Sequence, residues 1–268
     1  MLIMKKLNIN EVHTRLLEVA DAVDKICSNH DIPLFMVAGT MLGAIRHRGF
    51  IPWDDDMDFG VPYEHFYELM GILETELPSR FHCLTYENGK DNLAFHIKVE
   101  DHETIARDIR IDKPLELQPG ITIDIFPIVC CDEESFSTLI PKIRNVYMVK
   151  RRIFIGSTER QNYKKWAKRI LRFVVPFSSL SLNRKIKKLM DQLESGPFMS
   201  IPVSPNYWNR KFKKEWFYPI KRFKFEDREY VGICDYDAYL KSLYRNYMKL
   251  PPKEKQIVHM DDVYLRES

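Results

Sequence analysis

The chain has 268 residues, 45% of them hydrophobic and 29% charged, with a net charge of +3. That is enough apolar residue to bury a sizeable core and too much charge for a membrane bundle, and no run of about 18 consecutive apolar residues exists to span a bilayer. The five cysteines (Cys27, Cys83, Cys130, Cys131 and Cys234) are odd in number and form no CxxC, which argues against both a disulfide framework and a zinc site.

Met1 to Asn10 is too short and too polar for a secretory signal, so the expected location is the cytosol. The small net charge hides an asymmetry. Residues 141–190 hold fifteen Lys or Arg against one acid, Glu159, so that stretch carries +14 and the remainder −11. An acidic body with a basic arm suits polyanionic partners or a membrane surface.

In chain order, Val12, Leu16, Val19, Val23 and Ile26 recur at helical spacing, and the pattern predicts an amphipathic helix over Glu11–Asn29. Pro33 ends it. Leu34–Ala38 reads as a short buried strand, followed by Gly39-Thr40 and a helix over Met41–His47. Met57–Val61 reads as a second strand. Pro62 suits the first turn of a helix running to Leu77. Phe81–Glu87, Leu93–Glu100, Thr104–Asp108 and Ile121–Ile128 read as strands, the last rich in β-branched residues with Asp124 in its middle. Helices are expected over Glu133–Phe154, Tyr163–Val175, Leu182–Leu193 and Asp237–Met248, with an irregular, aromatic-rich stretch from Pro197. The pattern is α/β (α+β): a core over residues 1–131 and a helical, basic and aromatic-rich extension over 132–268.

The sharpest local feature is Asp54-Asp55-Asp56-Met57-Asp58, four acids within five residues. Like charges this close oppose folding unless a cation sits among them. In a strand, the period of two puts Asp56 and Asp58 on one face and sends Met57 and Phe59 to the core. Asp54 shares that face if the extended backbone reaches back so far. Two same-face carboxylates make half a site for a hard cation such as Mg²⁺ or Mn²⁺. Asp124, an acid inside an otherwise apolar strand, needs a partner, and a shared ion would supply one. Between a strand and a helix, Gly39 lets backbone amides approach an anion, with the Thr40 hydroxyl beside it.

The run from Gly39 to Asp58, GTMLGAIRHRGFIPWDDDMD, resembles the signature of LicD-family phosphotransferases. Ile123-Asp124-Ile125-Phe126-Pro127 resembles the family's downstream acidic strand, Lys98 sits where the family carries a basic residue, and Tyr236–Pro252 resembles its C-terminal segment. Here that segment departs from the pattern, with Tyr244-Arg245-Asn246-Tyr247 where Tyr-Gly-Asp-Tyr is common. The resemblance implies a nucleotidyltransferase-like fold related to fukutin-type enzymes. It implies transfer of phosphocholine, or another phospho-alcohol, from a CDP-linked donor to a sugar hydroxyl of a glycan or lipid-linked glycan. Gly39 and Thr40 would then hold donor phosphates, Asp56 and Asp58 the metal, and Asp124 would complete the metal site or act as base.

Arg46 and Lys98 are candidates for the donor's second phosphate. His96 is expected to face away from Lys98's neighbours in a structural role. The basic segment 164–175 could lie against an anionic membrane or pack its apolar stripe on the core. No recognised nucleic-acid module surrounds it. Two other functions fit the same carboxylates: a nucleotidyltransferase that releases pyrophosphate, and a catalytically inactive glycan- or nucleotide-binding protein.

Overall fold

A computed structural model of the chain describes residues 5–87, 95–107, 114–153, 178–207, 210–256 and 262–266. The fold is mixed α+β. Helix α1 (Ile9–Asn29) opens with a capping box: Asn8 Oδ1 accepts the Asn10 and Glu11 amides at 3.0 and 3.1 Å, and the Glu11 carboxylate accepts the Asn8 amide at 2.9 Å. That reciprocal pair starts the helix two residues before the apolar periodicity does. The stripe Val12, Leu16, Val19, Val23 and Ile26 is buried as expected.

Strand β2 (Phe35–Met36) is shorter than its apolar run because Ala38 adopts φ 46° and turns the chain into α2 (Ala38–Arg46). Gly39 and Thr40 consequently lie in the first helical turn rather than in a loop. Strand β3 (Met57–Pro62) and helix α3 (Tyr63–Glu76) follow, then β4 (Phe81–Leu84), β5 (Ile97–Asp101), β6 (Thr104–Arg107) and β7 (Thr122–Cys131). Beyond Cys131 come α4 (Glu133–Ile153), α5 (Ser179–Met190), β8 (Phe198–Ser200), β9 (Phe212–Lys213), β10 (Lys221–Phe225), β11 (Arg228–Gly232), α6 (Tyr236–Tyr244) and β12 (Asp262–Leu265). The described residues of the second half, expected to be mainly helical, thus supply five strands, and aromatic residues there become core: Tyr207, Phe212, Phe217, Phe225, Tyr230 and Tyr239 are all buried.

The main sheet runs β2-β3-β7-β5-β4, with β8 added to the far end of β7 and β9 to β8. Among the described residues only β3 and β7 are parallel; the other pairs of this sheet are antiparallel. Met57, Phe59 and Val61 of β3 and Ile123 and Ile125 of β7 are buried, and α1 and α3 pack against β7. The opposite parity, Asp58 and Asp124, is half-buried. Sheet alternation thereby separates an apolar face from a face that carries charge. A three-stranded sheet β1-β12-β6 ties the two ends of the chain together, and β10-β11 forms a hairpin. Among the described residues no helix is long and apolar enough to cross a membrane. The basic segment 164–175, and with it the expected helix over 163–175, lies outside the described residues.

Candidate active site

The carboxylates are brought together by strand register. On the parallel pair β3-β7, Asp58 stands opposite Asp124, and on the antiparallel pair β7-β5, Asp124 stands opposite Lys98. Residues directly opposed on neighbouring strands project to the same face. Asp58, Asp124 and Lys98 therefore form one row across three strands. Asp56, two residues before Asp58, enters the same charged neighbourhood.

The charges in this row are unevenly compensated. Lys98 Nζ makes a short contact with Asp124 Oδ1, and His96 Nε2 lies 3.2 Å from Asp124 Oδ2. Burial works against the Asp124 carboxylate, but Lys98 and His96 overcome it and hold the group well below the usual carboxylate range. Asp58 moves the other way. Burial, and then Asp56, Asp124 and Asp54 in turn, push its pKa well above the ordinary value, against which Lys98 acts only weakly. No three of Asp54, Asp56, Asp58 and Asp124 bring ligand atoms within 4.8 Å of one another, the spacing expected of like charges that repel.

His96 faces opposite to Ile97 and Val99 and so lies beside this group. It shares the parity of Lys98, two residues along the chain, and is only 7% exposed. Its approach to Asp124 is not a well-aligned hydrogen bond, since neither ring nitrogen finds a hydrogen-bond partner. Burial lowers its pKa and favours the neutral ring. The strand period of two by itself puts His96 on the face of Lys98, opposite to Ile97 and Val99, although β5 proper begins only at Ile97.

The loop that carries Asp54 and Asp56 is fastened from several sides. The His13 ring stacks on Phe50 with centroids 3.8 Å apart, and its Nε2 lies 2.7 Å from the Asp54 carbonyl, to which the Nε2–H tautomer donates. Glu226, in the β10-β11 turn, accepts the Phe50 amide at 2.9 Å and donates its own amide to the Arg48 carbonyl at 2.7 Å. Gly39 passes beneath Asp54 so closely that an added Cβ would meet Asp54 Oδ2 at 2.9 Å.

Thr40 is buried, and its hydroxyl accepts the Asp58 amide at 2.7 Å. It fixes the start of β3, a role the sequence did not suggest. The first-turn amides of Gly39 and Thr40 lie where an α-helix offers no intrahelical acceptor. Arg46, at the other end of α2, donates to the Tyr247 carbonyl at 2.8 Å and so anchors the C-terminal segment. The expected residues thus divide: Gly39, Asp54, Asp56, Asp58, Asp124 and Lys98 share one neighbourhood, and Arg46 sits at its edge.

Three tyrosines complete the wall. The Ala38 amide donates to Tyr239 Oη at 3.2 Å, and Tyr239 Oη donates to Tyr207 Oη at 3.1 Å. Both rings are buried. Burial drives both phenols upward, and Asp58 adds to it. Tyr244 is 39% exposed as a residue, but desolvation at its phenol, then Tyr239, Asp58, Asp54 and Asp56, push that group upward as well. Lys150 of α4 is wholly buried, and desolvation pulls its pKa down to about 7. Tyr207, Tyr239, Tyr244 and Lys150 come from segments with no carboxylate pattern. The one sequence signal was the tyrosine-rich stretch from 236 onward.

An α+β sheet carries Asp58, Asp124 and Lys98 in one row on its charged face, with the N-terminus of α2 beside it, and this defines a strongly polar site on a mixed sheet. Residues 31–183 match the family described as LicD/FKTN/FKRP, nucleotidyltransferase domain, and the chain belongs to this family. The matched segment contains every site residue expected from the sequence, whereas Tyr207, Tyr239 and Tyr244 lie beyond it. The chain is similar to the lipopolysaccharide cholinephosphotransferase LicD of Haemophilus influenzae, at 27% identity over 96% of this chain and 97% of that protein. An uncharacterized protein of Rickettsia prowazekii matches at 41% identity over 18% of each chain. Among solved structures, the antibiotic-resistance factor ANT(2'')-Ia aligns at 14% identity with a TM-score of 0.29, covering 67% of this chain and 91% of the other, a likeness too low to define the fold.

Proposed function

We propose that this protein transfers phosphocholine, or a related phospho-alcohol, from a CDP-linked donor to a sugar hydroxyl of a cell-surface glycan, with Mg²⁺ or Mn²⁺ held by Asp56, Asp58 and Asp124 and with Asp54 beside them. The observation that carries the reading is the Asp58–Asp124 register. It sets two carboxylates face to face on a sheet whose only cation in that row, Lys98, falls to Asp124. Near-full-length similarity to a cholinephosphotransferase supports the chemistry of the transferred group.

The donor set fits a hard divalent ion: all oxygen, several acids, and one carboxylate whose charge is strongly disfavoured without a counter-ion. When bound, such an ion neutralises charge on the phosphates as the P–O bond breaks. The chain's own residues do the rest. Asp124, kept anionic by Lys98, is suited to binding and orientation rather than to taking a proton. Asp58, whose charge is disfavoured by burial and by three neighbouring acids, is the carboxylate that gains most from a bound cation. The Gly39 and Thr40 amides, at the positive end of α2, face the donor's anionic oxygens. Lys98 and Arg46 supply charge for the second phosphate.

The test is a screen of CDP-choline and other CDP-alcohols with glycan acceptors in Mg²⁺ or Mn²⁺, following CMP. Acceptor-dependent CMP release that chelator abolishes is expected. Release of pyrophosphate from a nucleoside triphosphate instead would replace this reading with nucleotidyl transfer.

A further inference from the structure

A second group of ligating side chains lies apart from the carboxylates. Strand β4 sets His82 directly opposite Glu100 of β5 in antiparallel register, and His102 follows just after that strand. One ring nitrogen from each histidine and one carboxylate oxygen of Glu100 lie within 4.8 Å of one another. The two imidazoles stack with centroids 4.3 Å apart and planes 29° from parallel. Glu100 is 6% exposed. Its carboxylate accepts the Gly120 amide, and among the described residues it forms no ion pair.

Burying a carboxylate without a counter-charge is costly. Beside it stand two imidazoles, and a neutral ring offers a lone pair rather than charge. Two imidazoles and one carboxylate form a borderline-soft donor set, better matched to Zn²⁺ and its neighbours in the first transition series than to Mg²⁺. At Zn–ligand distances of about 2.0–2.1 Å, tetrahedral ligands stand about 3.4 Å apart, so closing the trio needs side-chain movement on the order of 1 Å. His102 is exposed and can make that movement, while its amide, bonded to the Arg80 carbonyl at 3.0 Å, holds the backbone in place.

We propose that His82, Glu100 and His102 form a binding site for a transition-metal cation, distinct from the carboxylate site. Such an ion ties β4 to β5. Through Glu100 and Gly120 it also braces the segment that leads into β7, the strand that carries Asp124. Cysteine spacing gives no sign of this site because it uses none.

The experiment uses the full, tag-free chain, stripped with chelator and dialysed, then titrated with Zn²⁺ in saturating Mg²⁺ so that the carboxylates are already served. Calorimetry and metal analysis after gel filtration give the stoichiometry, and thermal melts give the stability. One Zn²⁺ per chain is expected, with a higher Tm. His102→Ala and Glu100→Gln should each weaken binding at least about tenfold, and His82→Ala/His102→Ala should lose the equivalent. Asp58→Asn should keep it. Because His102 is exposed, its single variant serves even if the double variant misfolds. Absence of stoichiometric Zn²⁺ in the wild type overturns the proposal. So does unchanged binding in His102→Ala and Glu100→Gln, or loss of the ion in Asp58→Asn instead. No arm reads transfer, so this proposal and the proposed activity fail independently.

Discussion

Asp58 and Asp124 face each other across the one parallel strand pair of the main sheet, yet their environments push them in opposite directions. Asp124 is held anionic by Lys98, whereas Asp58 is forced upward by burial and by three neighbouring acids. This asymmetry leads to the first expectation. Asp58→Asn removes transfer by at least about a thousandfold, yet in chelator it stabilises the fold at neutral pH. The folded protein holds the Asp58 proton more tightly than the unfolded chain does. Wild-type stability therefore falls as pH rises above the ordinary carboxylate range. Urea melts at pH 5 and pH 8 should show a larger gain from the substitution at pH 8; an equal gain at both would remove Asp58 as the source.

Lys98 and Asp124 should behave as one unit. Lys98→Met leaves a half-buried carboxylate without its countercharge and should cost about 2 kcal/mol. Adding Asp124→Asn should return part of that loss. A double-mutant cycle by chemical denaturation measures the coupling; additive effects would mean that the contact contributes little.

Gly39→Ala should damage the site while sparing the fold. The new methyl group meets Asp54 Oδ2, the end of a side chain in a fastened loop, at 2.9 Å. We expect kcat to fall at least about tenfold from displacement on the order of 1 Å, with little change in Tm. Intact kcat would show that Asp54 is free to move aside without consequence.

Tyr239→Phe strips the acceptor from the Ala38 amide, at a residue already in the left-handed region, and breaks the link to Tyr207. A buried amide left unsatisfied costs about 1–3 kcal/mol. Differential scanning calorimetry should record that loss, and the start of α2 should exchange amide protons faster.

Lys150 gives a pH signature of opposite origin. Desolvation lowers its pKa to about 7, so between pH 7 and the ordinary lysine range the unfolded chain carries the extra proton. Stability gains from this group as pH rises through that window, by at most about 1.4 kcal/mol per pH unit. Lys150→Met should therefore stabilise most at pH 7 and below, with the advantage shrinking toward pH 10. A constant difference across that range would assign the effect to packing instead.

Much of the site was legible locally. Alternation along Met57–Val61 sorts Asp58 from Met57 and Phe59 whatever the strand pairs with, and the glycine before a helix marks an anion-facing turn by backbone chemistry alone. The approach of His96 to Asp124 depends on β5 pairing with β7, which no local pattern over residues 93–100 contains. That the Thr40 hydroxyl accepts the Asp58 amide is not readable from the local sequence; only the neighbouring strand shows it.

By itself the sequence determined α1, the alternation of β3, the acid inside β7 and the cluster of Asp54, Asp56 and Asp58, because helical and strand periods and like-charge repulsion act over a few residues. Only the tertiary structure decided that β7 lies between β3 and β5. That order places Asp124 opposite both Asp58 and Lys98 and decides which acid is neutralised. It also decided that tyrosines from the far end of the chain close over α2. Pairings of this kind are set by burial on both faces of the sheet, a balance over the whole core that no short stretch of sequence contains.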